Sequence, residues 1–156
     1  MRTLLLAAAF GVTASAAELP PLFDADGKAV DAAAGPAKKH RILMFAGLDT
    51  PAEQDMLGLI QENLKRIRRS EAASLWVVFV AHTPRQAADY CRAREYSFPW
   101  LCDPAARWLA PLEVDYLPMV VVLAPDGSVR YRTTAISQTL VQSVVRHPER
   151  VPAAVR

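Results

Sequence analysis

Val114-Asp115-Tyr116-Leu117-Pro118-Met119-Val120-Val121-Val122-Leu123-Ala124-Pro125-Asp126-Gly127-Ser128-Val129-Arg130-Tyr131-Arg132-Thr133 is the stretch that decides the fold. Met119 to Leu123 is an uninterrupted apolar run, the pattern of a strand buried on both faces. Pro125-Asp126-Gly127-Ser128 is a hairpin turn, since glycine takes the left-handed backbone that such turns require. Val129 to Thr133 alternates as a strand. An antiparallel pair therefore closes a sheet, and Leu117-Pro118 marks its entrance.

Outward from this hairpin the chain alternates between strands and helices. Downstream, Ser137 caps a final helix with Leu140, Val141, Val144 and Val145 inward, ended by His147-Pro148. Upstream, Asp103-Pro104 reads as the cap and start of a helix running to about Leu112. Phe98-Pro99-Trp100-Leu101-Cys102 is a short extended piece, and its proline suggests a sheet edge. Thr83-Pro84-Arg85-Gln86 opens a helix to about Arg94, carrying Cys91. Leu75 to Ala81 is nearly all apolar, as a central strand would be. Thr50-Pro51-Ala52-Glu53 is a capping box with proline at the first helical position. Its helix carries the apolar stripe Met56, Ile60, Leu64 and Ile67. It ends in Lys65, Arg66, Arg68 and Arg69, where cations favour the helix dipole. Arg41 to Ala46 reads as a buried strand, Ala32 to Lys39 as a loop, and Asp26-Gly27 as the turn of a small hairpin between Leu22-Phe23 and Ala29-Val30. Strands alternating with helices predict a sheet, parallel in its first part and mixed after the final hairpin, with helices on both faces.

The chain has 156 residues, enough for one domain. Eighteen basic and 16 acidic side chains leave a formal charge of +2, too even a balance for an electrostatic case for nucleic acid. Arg2, the apolar stretch Leu4 to Val12 and Ala14-Ser15-Ala16-Ala17 predict a cleaved secretory signal over residues 1–17, with a single soluble domain over 18–156. The expected location is periplasmic or secreted, with no membrane span after cleavage. There the two cysteines, Cys91 and Cys102, meet an oxidising environment. Three readings stand for them: a structural disulfide, two free buried thiols, or a redox-active pair. The histidines His40, His82 and His147 have no metal-ligand spacing, so neither a metal nor a cofactor is expected.

Several segments together resemble the peroxiredoxin and thiol–disulfide oxidoreductase branch of the thioredoxin-like superfamily. These are the Phe23 to Lys28 hairpin, Phe98-Pro99-Trp100-Leu101-Cys102-Asp103-Pro104, Val114-Asp115-Tyr116-Leu117-Pro118 and the turn at Pro125-Asp126-Gly127, spanning about residues 22–146. The resemblance implies a three-layer α/β/α sandwich with a mixed sheet and a cis bond before Pro118. It also implies a redox site on the loop Ala46 to Glu53. No cysteine occurs in that loop. The positions of the oxidoreductases' cysteine pair fall near Asp49 and Ala52, and that of the peroxiredoxin nucleophile on Glu53. What remains are candidate binding residues, Asp49, Thr50, Glu53, His82, Leu117 and Pro118, with Tyr116 and Met119 beside them, and Cys91 and Cys102 as a candidate redox pair. The leading expectation is a non-catalytic protein that binds a protein or peptide partner in the cell envelope. The alternative is a divergent thiol–disulfide oxidoreductase or peroxiredoxin-like protein using the two cysteines.

Overall fold

A computed structural model describes residues 19–32, 38–134 and 137–150. The proposed signal at 1–17 and most of the loop from Ala32 to Lys39 lie outside them. The small hairpin forms as β1 (Leu22–Phe23) and β2 (Ala29–Val30), closed by Gly27 at φ 75°. Then follow β3 (His40–Ala46), α1 (Pro51–Arg68), β4 (Ala73–Val80), α2 (Pro84–Ala93) and β5 (Trp100–Asp103). The chain ends with β6 (Met119–Leu123), β7 (Val129–Thr133), α3 (Gln138–Arg146) and a single 3₁₀ turn at Pro148–Arg150.

The strands form one mixed sheet in the order β2-β1-β5-β4-β3-β6-β7. β4 stands at its centre, as expected from its apolar run, and pairs in parallel with β3 and β5. β6 runs antiparallel to β3, and β7 antiparallel to β6. β5 is not an edge, contrary to the reading of Pro99. The strand starts after that proline, so no ladder N–H is missing. The Pro99 carbonyl still accepts from Val77 N at 3.0 Å, and β1 covers the far side through Phe23 opposite Cys102.

Both faces of the sheet are buried, by different means. On one, Met56, Leu57, Ile60, Leu64 and Ile67 of α1 pack with Ala87 and Cys91 of α2 and Val141, Val144 and Val145 of α3 over Met44, Val77, Phe79 and Val122. On the other, Trp108, Leu112 and Val114 cover Leu43, Phe45, Val78 and Val121. The helix expected from Pro104 to Leu112 is here a run of turns. Pro111 would remove a helix hydrogen bond and clash within it, and Ala106 and Glu113 turn to φ 52°. The cap read at Asp103 does exist. Its carboxylate accepts from Arg107 N at 3.0 Å and Trp108 N at 2.8 Å, which anchors the segment. Trp108 Nε1 donates to the Pro20 carbonyl at 2.7 Å, tying in the N-terminal residues.

Candidate functional site

The ends of β3 and β4 and the start of β6 share one edge of the sheet. Ala46 is opposite Phe79, and Phe45 is opposite Met119. The loop 47–50, His82 and Pro118 therefore leave the sheet on the same side, the edge where α/β folds place their sites. The Leu117–Pro118 peptide bond is cis. The β3–β6 ladder starts only at Met119, so Tyr116 and Leu117 stand beyond it. Tyr116 is 73% exposed, the one large apolar side chain so placed among the described residues. It flanks an open groove of about 360 Å³ lined by Leu117, Pro118 and Thr134 on one side and by Ala52, Asp55, Met56 and Leu59 of α1 on the other.

The centre of this edge is the N-terminus of α1, and Glu53 occupies it. The capping box is complete: Glu53 N donates to Thr50 Oγ1 at 3.3 Å, and the carboxylate returns to Thr50 N at 2.8 Å. The carboxylate does more than a surface cap. It also accepts from Gly47 N at 2.6 Å, from Asp49 N at 3.2 Å and from Thr50 Oγ1 at 2.8 Å. Glu53 is only 4% exposed. Burial pushes its carboxyl upward in pKa, but the donors of Thr50, Gly47 and Asp49 together outweigh burial and hold it below the ordinary value. The loop's backbone donors thus converge on one internal anion. A Cβ on Gly47 would stand 2.8 Å from Glu53 Oε1, so only glycine lets the carboxylate approach this closely.

The sequence-predicted residues Asp49, Thr50, Glu53, His82, Leu117 and Pro118 therefore share one edge. Cys91 and Cys102 do not join them at the surface. Both are buried free thiols, the second of the three readings, and the structural disulfide is not formed. Cys91 lies on a helix and Cys102 in the sheet beneath it, and the two sulfurs are not at bonding distance. Burial pushes Cys91 up to about 11. Burial, then the neighbouring Cys91 and Asp103, push Cys102 up to about 12. At neutral pH both are protonated thiols, the unreactive form. The arginines beside Cys91 are engaged elsewhere: Arg92 pairs with Asp89 at 2.8 Å, and the Arg94 guanidinium lies 4.4 Å from the Tyr90 ring centroid.

Tyr90 went unnoticed in the sequence. Its ring packs edge-on to Phe79 and against Tyr96, and its buried hydroxyl has no hydrogen-bond partner. Helical spacing alone does not distinguish it from any half-buried tyrosine. The groove under Tyr116 was also only half legible, because its other wall comes from α1. Among the described residues no group of three or more His, Cys, Asp or Glu side chains could hold a metal ion.

The hairpin-led mixed sheet, the helix entering after β3 and the cis proline before β6 define a thioredoxin-like α/β fold. The chain is similar in structure to StoA from Bacillus subtilis, with a TM-score of 0.67 at 14% identity over 79% of this chain and 92% of that one. It is also similar to a secreted Mycobacterium tuberculosis disulfide oxidoreductase homologous to Escherichia coli DsbE, with a TM-score of 0.65 at 15% identity over 80% and 92%. A thiol:disulfide interchange protein of the thioredoxin family from Chlorobium tepidum gives 0.59 at 15% identity over 81% and 93%. No protein-family model and no curated protein matches the sequence. No helix among the described residues is long and apolar enough to cross a membrane.

Proposed function

We propose that this protein is an exported thioredoxin-fold factor that binds an extended segment of a partner protein in the cell envelope, without thiol exchange. The observation that carries this is the buried Glu53 carboxylate, which takes up the loop donors that would otherwise stabilise a thiolate or another external anion. A carboxylate at this position has no redox chemistry. The binding surface is the groove beneath Tyr116, with Leu117 and Pro118 on its rim and His82 and Asp49 nearby. The exposed Tyr116 ring supplies apolar area at a small entropy cost, and unladdered backbone beside it suits an added strand. Export rests on the reading of residues 1–17 as a signal. A photoreactive side chain at Tyr116, activated in intact envelope, is expected to give one discrete adduct that the same probe at Asp89 on α2 does not. Equal, diffuse labelling from both positions would remove the proposal.

A second reading is favoured by the comparisons, in which two of the three similar structures named are described by thiol–disulfide chemistry. In it the protein is a divergent thiol–disulfide oxidoreductase using Cys91 and Cys102, two thiols of one core. That requires a partner or a local opening to bring one sulfur to the surface. Disulfide turnover by the wild type that disappears in Cys91→Ser would establish it.

A further inference from the structure

We propose that the groove between the C-terminal end of α1 and α3 is a binding site for a phosphate-bearing anion. Four basic residues crowd the end of α1, and one of them is already committed: Arg68 donates to the Ser97 carbonyl at 2.8 Å. The other three, Lys65, Arg66 and Arg69, are exposed and line a depression of about 430 Å³ together with Gln138 and Gln142 of α3. An adjoining depression of about 390 Å³ shares Arg66 and Arg69 and adds Arg146 from the last turn of α3. The helices are pinned side by side here, with Ser70 Oγ donating to the Val145 carbonyl at 2.7 Å.

Among the described residues, none of Lys65, Arg66, Arg69 and Arg146 has a carboxylate ion-pair partner. The salt bridges Arg92–Asp89 and Arg132–Glu113 lie elsewhere. The carboxylates of the two depressions are Glu62 and Glu71. Helix dipoles explain a cation at the end of either helix separately. Each helix end carries only about half a negative charge, so cations remain in excess after both ends and both carboxylates are counted. Dipoles also do not explain why arginines of two helices, Arg66 and Arg69 at the end of α1 and Arg146 of α3, line one concave surface. Planar guanidinium forks match the paired oxygens of a phosphate group, and the two glutamine amides add N–H donors. The site lies on the C-terminal half of α1, from Glu62 onward, whereas the Tyr116 groove is lined by its N-terminal half, Ala52 to Leu59. It stands independently of the function proposed above.

The phosphate could be that of a soluble compound or that of a lipid headgroup, and one experiment separates them. The isotope-labelled full chain is titrated with inorganic pyrophosphate and followed by NMR. In parallel it is sedimented with vesicles of phosphatidylglycerol in phosphatidylcholine and with phosphatidylcholine vesicles alone. Pyrophosphate-dependent shifts confined to residues 62–71 and 138–147 assign a soluble phosphate ligand, and sedimentation with the anionic vesicles only assigns a headgroup. Either binding is expected to weaken about tenfold in Arg66→Gln/Arg69→Gln, and to fall as salt shortens the Debye length from about 30 Å to about 8 Å. These exposed substitutions keep helix propensity, and a circular dichroism spectrum checks the fold. Absence of both bindings at low salt overturns the proposal, as does binding that the double substitution leaves unchanged.

Discussion

The two ends of α1 contrast sharply. At its N-terminus a single buried carboxylate, Glu53, accepts from Gly47, Asp49 and Thr50, and the anion site is filled from within the chain. At its C-terminus Lys65, Arg66 and Arg69 face solvent with no carboxylate partner among the described residues. One helix thus has a closed end, its donors filled by an internal carboxylate, and an open end carrying basic side chains. The difference teaches that one helix can have its N-terminal donors satisfied from within the chain while the charge at its other end stays open to solvent. The Glu53 carboxylate satisfies the N–H donors of Gly47, Asp49 and Thr50 and so ties the loop to the helix start.

The largest test of this contrast is Glu53→Ala. It leaves the buried N–H of Gly47 and the partly buried N–H of Thr50 without their acceptor and is expected to destabilise the fold by about 2 kcal/mol in urea unfolding. Arg66→Ala, at the open end, should stay within about 0.5 kcal/mol, as exposed substitutions do. Comparable losses at both ends would erase the distinction. Next in size is Gly47→Ala, whose new methyl meets Glu53 Oε1 at 2.8 Å. Overpacking of this kind costs about 1–3 kcal/mol, and pairing it with Glu53→Ala in a double-mutant cycle should relieve most of that cost. Thr83→Ala breaks the other capping box, at α2, and should cost about 1 kcal/mol by the same unfolding measurement.

The pH response separates the two kinds of buried acid. Glu53 has a folded pKa below its unfolded one, so its contribution is present above the unfolded value and is lost as pH falls through the folded value. Cys91 and Cys102, raised to about 11 and about 12, behave oppositely. Their contribution is present below the unfolded thiol value and fades as pH climbs toward the folded ones. Wild type should therefore lose stability on the acid side relative to Glu53→Gln, and on the alkaline side relative to Cys91→Ala/Cys102→Ala. Unfolding midpoints followed across pH read both.

Much of the fold was legible because its signals are local. Thr50-Pro51-Ala52-Glu53 and Thr83-Pro84-Arg85-Gln86 specify helix starts through contacts three residues apart, and both capping boxes form. The apolar run Leu75 to Ala81 identifies a central strand without reference to any neighbour. The segment after Asp103 misled, because its cap outweighed the Pro111 that forbids a helix. The disulfide expectation failed for a different reason: spacing in sequence cannot say that one cysteine rides on a helix and the other lies in the sheet. At the site, Glu53 was recognisable as a capping acid. Its further bonds to Gly47 and Asp49 depend on how the loop folds back, which no periodicity encodes. The groove wall from Asp55 and Leu59 and the meeting of Arg66 with Arg146 likewise come from helices placed by tertiary packing.

The central claim is that the site edge has no thiol chemistry, because Glu53 closes it and both cysteines are buried. Its most direct test is steady-state reduction of a peptide disulfide by the purified protein with a thiol reductant, beside Cys91→Ser and Cys102→Ser. The account predicts that all three match the rate of the reductant alone. Turnover by the wild type that vanishes when either cysteine is replaced would contradict it.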